Sequence, residues 1–221
     1  MLTILIAVAF VPMIIACIWI RNTEKRNREF WRYIFLTFVW GASIAIVMSL
    51  FLEKKVMNNY TNFLIIMVII GPIIEEFSKV IPLFFIRKQL TEVEDGFIFG
   101  AVAGLGFAAT ENLIYGIRFM DYSIAVLMSL FYLRTVGTAL LHASATSLAG
   151  YGISLKIVRK KSIFYPIAFF ILAVFTHSIF NFFAFSSQIS NQIFGIVIAV
   201  MFAFTTYLMI RQKIIQLDNV K

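Results

Sequence analysis

Apolar runs of about 20 residues recur along the whole of this chain, each long enough to cross the roughly 30 Å hydrocarbon layer of a bilayer as a helix. A soluble domain cannot hide that much apolar surface: of 221 residues, 61% are hydrophobic and 14% charged. The expected fold is an all-α polytopic membrane bundle in the cell membrane. The runs read as Leu2 to Ile20, Phe30 to Leu52, Asn62 to Ile86, Gly96 to Ile117, Tyr122 to Gly152, Ser162 to Phe185 and Gln192 to Ile210. The fifth is too long for one upright helix, so its opening part is expected to tilt, lie flat or form a separate short helix before Leu133, giving seven or eight spans.

Basic residues set the orientation, because they resist translocation. Fourteen of them, among them Arg21, Arg28, Arg87, Lys160 and Arg211, fall in connections on one side, against Lys54, Lys55 and Arg118 on the other. The N-terminus is expected outside and the C-terminus in the cytoplasm. The net charge of +8 comes from short clusters between apolar runs, so anionic lipid headgroups rather than nucleic acid are the expected partner. Cys17 is the sole cysteine, which excludes an internal disulfide and a cysteine-rich zinc site. Leu2 to Ile20 lacks a basic leading segment and a small-residue cleavage signal and reads as a retained span. With no repeat and no long linker, residues 1–221 form one membrane domain, its chemistry placed on helices within about 62–185. Thr91 and Glu94 read as a capping box opening the fourth span.

An ionisable group in hydrocarbon costs several kcal/mol, so it usually faces the bundle interior and has a partner or a task. The third run holds Glu75, Glu76 and Lys79 between Gly71-Pro72 and Pro82, where prolines interrupt the backbone ladder and imply a cavity. Lys79, four residues after Glu75 and three after Glu76, can neutralise one carboxylate and leave the other for acid and base work. The same triad could instead only lock helices together. In the fourth run Gly96, Gly100 and Gly104 form a packing seam whose stripe continues to Phe107 and Glu111, with Asn112 beside it. His142 shares a small-residue face with Thr135, Thr138, Thr146 and Ala149, and by itself reads as a hydrogen-bonded interior histidine. His177 and Asn181, one turn apart, are expected to point at one atom as an oxyanion clamp. At 1.5 Å per residue Glu111, His177, Glu75 and, if its helix begins near Leu133, His142 fall in one band, roughly 9 to 20 Å below the outer surface. Arg134, near the outer boundary, is expected to snorkel.

Glu75-Glu76-Phe-Ser-Lys79, Phe107 to Glu111-Asn112, His142, and His177 to Asn181, in that order on successive spans, resemble the PrsW family of glutamic intramembrane proteases. That family is related to the type II CAAX prenyl endopeptidases and the Abi-type membrane proteins. The resemblance covers roughly Gly71 to Phe183. It departs from the wider superfamily at Glu111, where the endopeptidases carry histidine, and at Asn181, where some relatives carry aspartate. It implies metal-independent cleavage, without a cofactor, of a single-span membrane protein near the extracytoplasmic side, as with an anti-sigma factor cut to start a stress response. Glu75 would then activate water, with Glu76 and Lys79 tuning it, His177 and Asn181 stabilising the oxyanion, and Glu111 and His142 positioning water or protonating the leaving amine. Three rivals stand beside this reading. Zinc held by Glu75, Glu111, His142 and His177 would give a metalloprotease, although no H-E-x-x-H helix is present. A non-catalytic scaffold or immunity protein could keep the fold without cutting, and a proton-coupled transporter could use the same carboxylates and imidazoles as a relay.

Overall fold

The computed structural model describes residues 1–58, 62–121, 124–186 and 192–219, and within these the side chains of all but 124–134, 185–186 and 192–196. The described residues contain seven helices and no strand. They are α1 (Leu2–Arg21), α2 (Trp31–Met57), α3 (63–85), α4 (Asp95–Arg118), α5 (Ile124–Ile157), α6 (Phe164–Ser186) and α7 (Gln192–Asn219). Each overlaps one apolar run of the sequence. The long fifth run is one 34-residue helix rather than a short helix followed by a span, its expected start at Tyr122 lying outside the described residues. The side chain of Arg134 also lies outside them.

Polarity is distributed as lipid demands and water would forbid. Large apolar side chains such as Val47, Phe51, Ile171, Phe175 and Met209 are exposed, whereas Glu76, Lys79, Thr146 and His177 are buried. Surrounded by hydrocarbon, apolar side chains have no reason to turn inward, and polar ones have every reason to. The chain is thus a multi-pass membrane protein. Among the described residues five helices are long and apolar enough to cross a bilayer: α1, α2, α4, most of α6 and most of α7. The other two, α3 and α5, are those that carry Glu75, Glu76, Lys79 and His142. Within its most apolar window α4 is 78% buried, against 22–33% for the other four, so α4 is the hub around which the bundle is arranged.

Glycine lets α4 occupy that place. A methyl on Gly96 would run into the carbonyl oxygen of Gly150, one on Gly100 into that of Thr146, and one on Gly104 into that of His142. Advancing four residues on α4 retreats four on α5, so the two helices pack antiparallel with their backbones in contact, as small residues allow. The expected seam is therefore present, and its partner is the face that carries His142.

Helices α2 and α3 each contain one wide π turn, at Gly41–Ala45 and Ile66–Ile70. In the second, the N–H of Gly71 bonds to Ile66 rather than to Met67, leaving the Met67 carbonyl without its helical donor. Farther along, Pro82 has no N–H to offer Ser78, and the indole of Trp40 donates to the Ser78 carbonyl instead, at 3.1 Å. The expected interruption on both sides of Glu75 and Glu76 is thus a π turn and a proline, bridged by side chains from neighbouring helices.

The expected capping box at α4 is corrected. Glu94 makes no capping bond; the Asp95 carboxylate turns back instead, its Oδ2 accepting from the backbone N–H of Thr91 at 2.7 Å and of Glu92 at 2.8 Å. The helix begins at Asp95, so the acid one position later is the one whose side chain reaches the open amides.

Candidate active site

Lys79 is the centre of the polar cluster. On α3 it lies one turn beyond both glutamates, and its fully buried ammonium donates to Glu75 Oε2 at 3.1 Å and Glu76 Oε1 at 2.9 Å. It also lies 2.8 Å from His142 Nδ1 and 4.2 Å from the centre of the Phe107 ring, whose face carries the negative end of its quadrupole. An ammonium has no lone pair to accept with, so His142 Nδ1 must be the acceptor and the imidazole proton sits on Nε2. That nitrogen faces Glu111 Oε2 at 3.1 Å, an orientation suited to Nε2–H donating to the carboxylate.

Glu76 is fully buried and saturated. Besides Lys79 it accepts from Thr146 Oγ1 at 2.8 Å through Oε2, and His177 Nδ1 lies 2.8 Å from Oε1. With Nδ1–H donating to Glu76, the Nε2 edge of His177 is turned toward Glu75, 3.8 Å from its Oε2. The two imidazoles meet edge to face, 5.0 Å between centres. Glu75 and Glu111, by contrast, keep side-chain exposures of 13% and 21%. The arrangement is two reachable carboxylates set against a buried, charge-paired framework of Lys79, Glu76, His142 and His177.

Four helices therefore bring together most of the residues singled out in the sequence: Glu75, Glu76 and Lys79 from α3, Phe107 and Glu111 from α4, His142 from α5 and His177 from α6. Asn112 is buried one position further along α4, and its Oδ1 accepts from Thr138 Oγ1 at 3.0 Å, tying α4 to α5. Asn181 departs from the expected clamp. Its amide donates to the Met67 carbonyl at 3.0 Å, the group released by the π turn, so it and His177 serve different atoms.

Glu53 escaped the sequence reading. The second run was ended at Leu52, but α2 continues to Met57 and carries Glu53 into the site, where it interacts electrostatically with Glu75, Glu111 and Lys79. Its Oε1 lies 3.9 Å from where a side chain on Gly71 would begin. The available signal was an acid one residue past an apolar run, masked by Lys54 and Lys55, which read as a solvated connection.

Glu75, His142 and His177 offer ligand atoms within 4.8 Å of one another. Two imidazoles and one carboxylate are the donor set of many catalytic zinc sites, so the composition fits a transition-metal ion. Glu111, the fourth ligand weighed from the sequence, lies beside His142 but outside that group. His142 would have to release Lys79 or Glu111 to ligate, because each ring nitrogen already faces one of them.

A family model described as PrsW family intramembrane metalloprotease matches residues 29–208. Protease PrsW of Clostridioides difficile (strain 630) is 28% identical over 118 residues, which is 50% of this chain and 50% of that relative. The chain thus matches half the length of this curated relative. No solved structure matches.

Proposed function

Because the chain belongs to the PrsW family of intramembrane proteases, we propose that it hydrolyses a peptide bond of a membrane-anchored protein, with Glu75 as the base that activates water. The observation that carries this reading is the contrast between two neighbouring glutamates. Glu76 spends both oxygens on buried partners, whereas Glu75 is held by Lys79 on one side and stays reachable on the other. A general base must reach its water and keep its orientation, and Glu75 meets both conditions.

In this scheme water enters beside Glu75 and gives it a proton as the oxygen attacks the scissile carbonyl. His177, oriented by Glu76, takes the developing oxyanion when its Nε2 carries a proton, the imidazolium being balanced by Glu76. As the carbon–nitrogen bond breaks, the amine collects a proton from the Glu111 and His142 side or from Glu75 itself. Asn181 acts at one remove, holding the π turn that precedes Glu75. The proposed substrate is a single-span membrane protein cut in the outer half of the bilayer, the depth at which sequence position puts Glu75, Glu111 and His177; an anti-sigma factor is the example that the family resemblance implies. The name of the Clostridioides difficile relative, a protease, supports the hydrolytic reading.

The same reaction with a metal is a second reading, favoured by the proximity of Glu75, His142 and His177 and by the family's description. A bound zinc ion would polarise the carbonyl and lower the pKa of its water. Glu75 and the two histidines would be its ligands, with Glu76 holding His177 in the ligating tautomer as carboxylates commonly do.

Purified protein in liposomes, incubated with candidate single-span substrates and followed by mass spectrometry, tests the proposal. Paired fragments joined at a bond in the outer half of the span are expected. Failure to cut any substrate, including one whose processing in cells requires this protein, would instead indicate a non-catalytic scaffold. Activity surviving exhaustive chelation retains the metal-free form; loss on chelation and return with zinc selects the second.

A further inference from the structure

A second group of buried acids lies at the other end of α4. Asp95 opens that helix, sixteen residues before Glu111 and so roughly 24 Å from it along the axis. Glu24 and Glu29, from the connection between α1 and α2, come to the same place. Glu24, Glu29 and Asp95 are all buried, and each offers an oxygen within 4.8 Å of the others. Glu24 also belongs to an adjoining group with Glu94 and Asp218, the latter near the end of α7.

Glu29 is the decisive member. Its residue exposure is 6%, and neither carboxylate oxygen has a hydrogen-bond partner among the described residues. Arg21 and Arg28 lie close by, but their Nε atoms donate to the main-chain carbonyls of Glu29 and Glu24, at 2.8 and 2.7 Å. Asp95 is held in place by the amides of Thr91 and Glu92, all on Oδ2, so its Oδ1 is available to the group. The connection itself is pinned from α7, where Asp218 accepts from the N–H of Lys25 at 2.9 Å and of Arg26 at 3.3 Å. Burial, followed by the charges of Glu24 and Asp95, pushes the Glu29 carboxyl well above the usual carboxylate range. The Arg21 guanidinium acts on Glu29 through space but donates no hydrogen bond to its carboxylate, so a buried carboxylate without a donor stands beside two others with its oxygens open to a cation.

We propose that Glu24, Glu29 and Asp95 bind one hard divalent cation, of the Mg²⁺, Ca²⁺ or Mn²⁺ class, separate from the active site. Oxygen donors without nitrogen or sulfur select these ions. Metal–oxygen bonds of about 2.0 to 2.6 Å let a single ion reach oxygens spaced as these are. The ion joins the α1–α2 connection to the start of the hub helix, fixing α4 at the end remote from Glu111.

The test is Mn²⁺ titration of the purified full chain in detergent, free Mn²⁺ being read by electron paramagnetic resonance. Wild type should bind one ion that excess Mg²⁺ or Ca²⁺ displaces. Glu29→Gln should weaken binding at least tenfold, and Glu75→Gln should leave it intact. Should Glu29→Gln not fold, Glu24→Gln takes its place. No binding by wild type at millimolar Mn²⁺ would mean that Glu29 holds a proton instead, and overturns the proposal. Unchanged affinity in the Glu29 or Glu24 variant, or loss of the ion in Glu75→Gln, overturns it equally.

Discussion

Fully buried, the Lys79 ammonium depends on the two carboxylates, the imidazole nitrogen and the aromatic face around it. Lys79→Met should cost about 3–5 kcal/mol, because it strands the Glu76 carboxylate in a sealed site. Adding Glu76→Gln should recover much of that stability, since the neutral amide needs no counter-charge, while cleavage stays lost. Thermal unfolding of the two variants in detergent, beside their proteolytic activity, checks both statements; a double variant no more stable than Lys79→Met would contradict them. At this scale the sequence was informative where charge sat deep inside an apolar run. Glu75, Glu76, Lys79, Glu111, His142 and His177 were all legible by that criterion, because hydrocarbon makes an unexplained charge conspicuous. Glu53 was not, since an acid beside two lysines at the end of a run resembles ordinary solvated sequence. Asn181 was recognised as unusual, yet its partner is a carbonyl freed by a π turn, and side-chain spacing carries no record of such a turn.

The α4–α5 seam connects packing to chemistry, because the glycines that admit α5 also set where His142 stands. Gly104 abuts the carbonyl of His142 itself, whereas Gly96 abuts Gly150, two turns farther from the site. Alanine at either position should cost about 1–3 kcal/mol of stability by forcing the backbones apart. Their effects on activity should differ. A shift of about 1 Å at His142 would slow cleavage on the order of 100-fold, whereas the same shift at Gly150 should be absorbed before it reaches the imidazole. Equal losses of activity at equal stability would contradict this division. The seam was legible as a four-residue glycine repeat, and so was the small-residue face of α5. Their mutual register was not, because it depends on which glycine meets which carbonyl, and only the assembled pair of helices decides that.

For the whole molecule, one inside-out pattern accounts for both the location and the site: apolar side chains face outward, and the polar ones gather along the hub helix α4. Apolar runs revealed all seven of the described α-helices because a bilayer imposes length and hydropathy together, while their ends moved by up to nine residues, at α7, which runs to Asn219 rather than Ile210, since charged residues can extend a helix past the hydrocarbon. Orientation is testable through cysteine labelling in a Cys17→Ser background. With the N-terminus outside, Asn58→Cys should react with a membrane-impermeant maleimide in intact cells, and Lys88→Cys only after permeabilisation; the opposite result would invert the topology. The account rests most heavily on Glu75 being the carboxylate that activates water. Its most direct test is the rate at which wild type and Glu75→Gln, each shown to be folded and reconstituted in liposomes without other proteins, cut the same single-span substrate. The account predicts steady cleavage by wild type and none above background by the variant; cleavage by Glu75→Gln at a rate near that of wild type would contradict it.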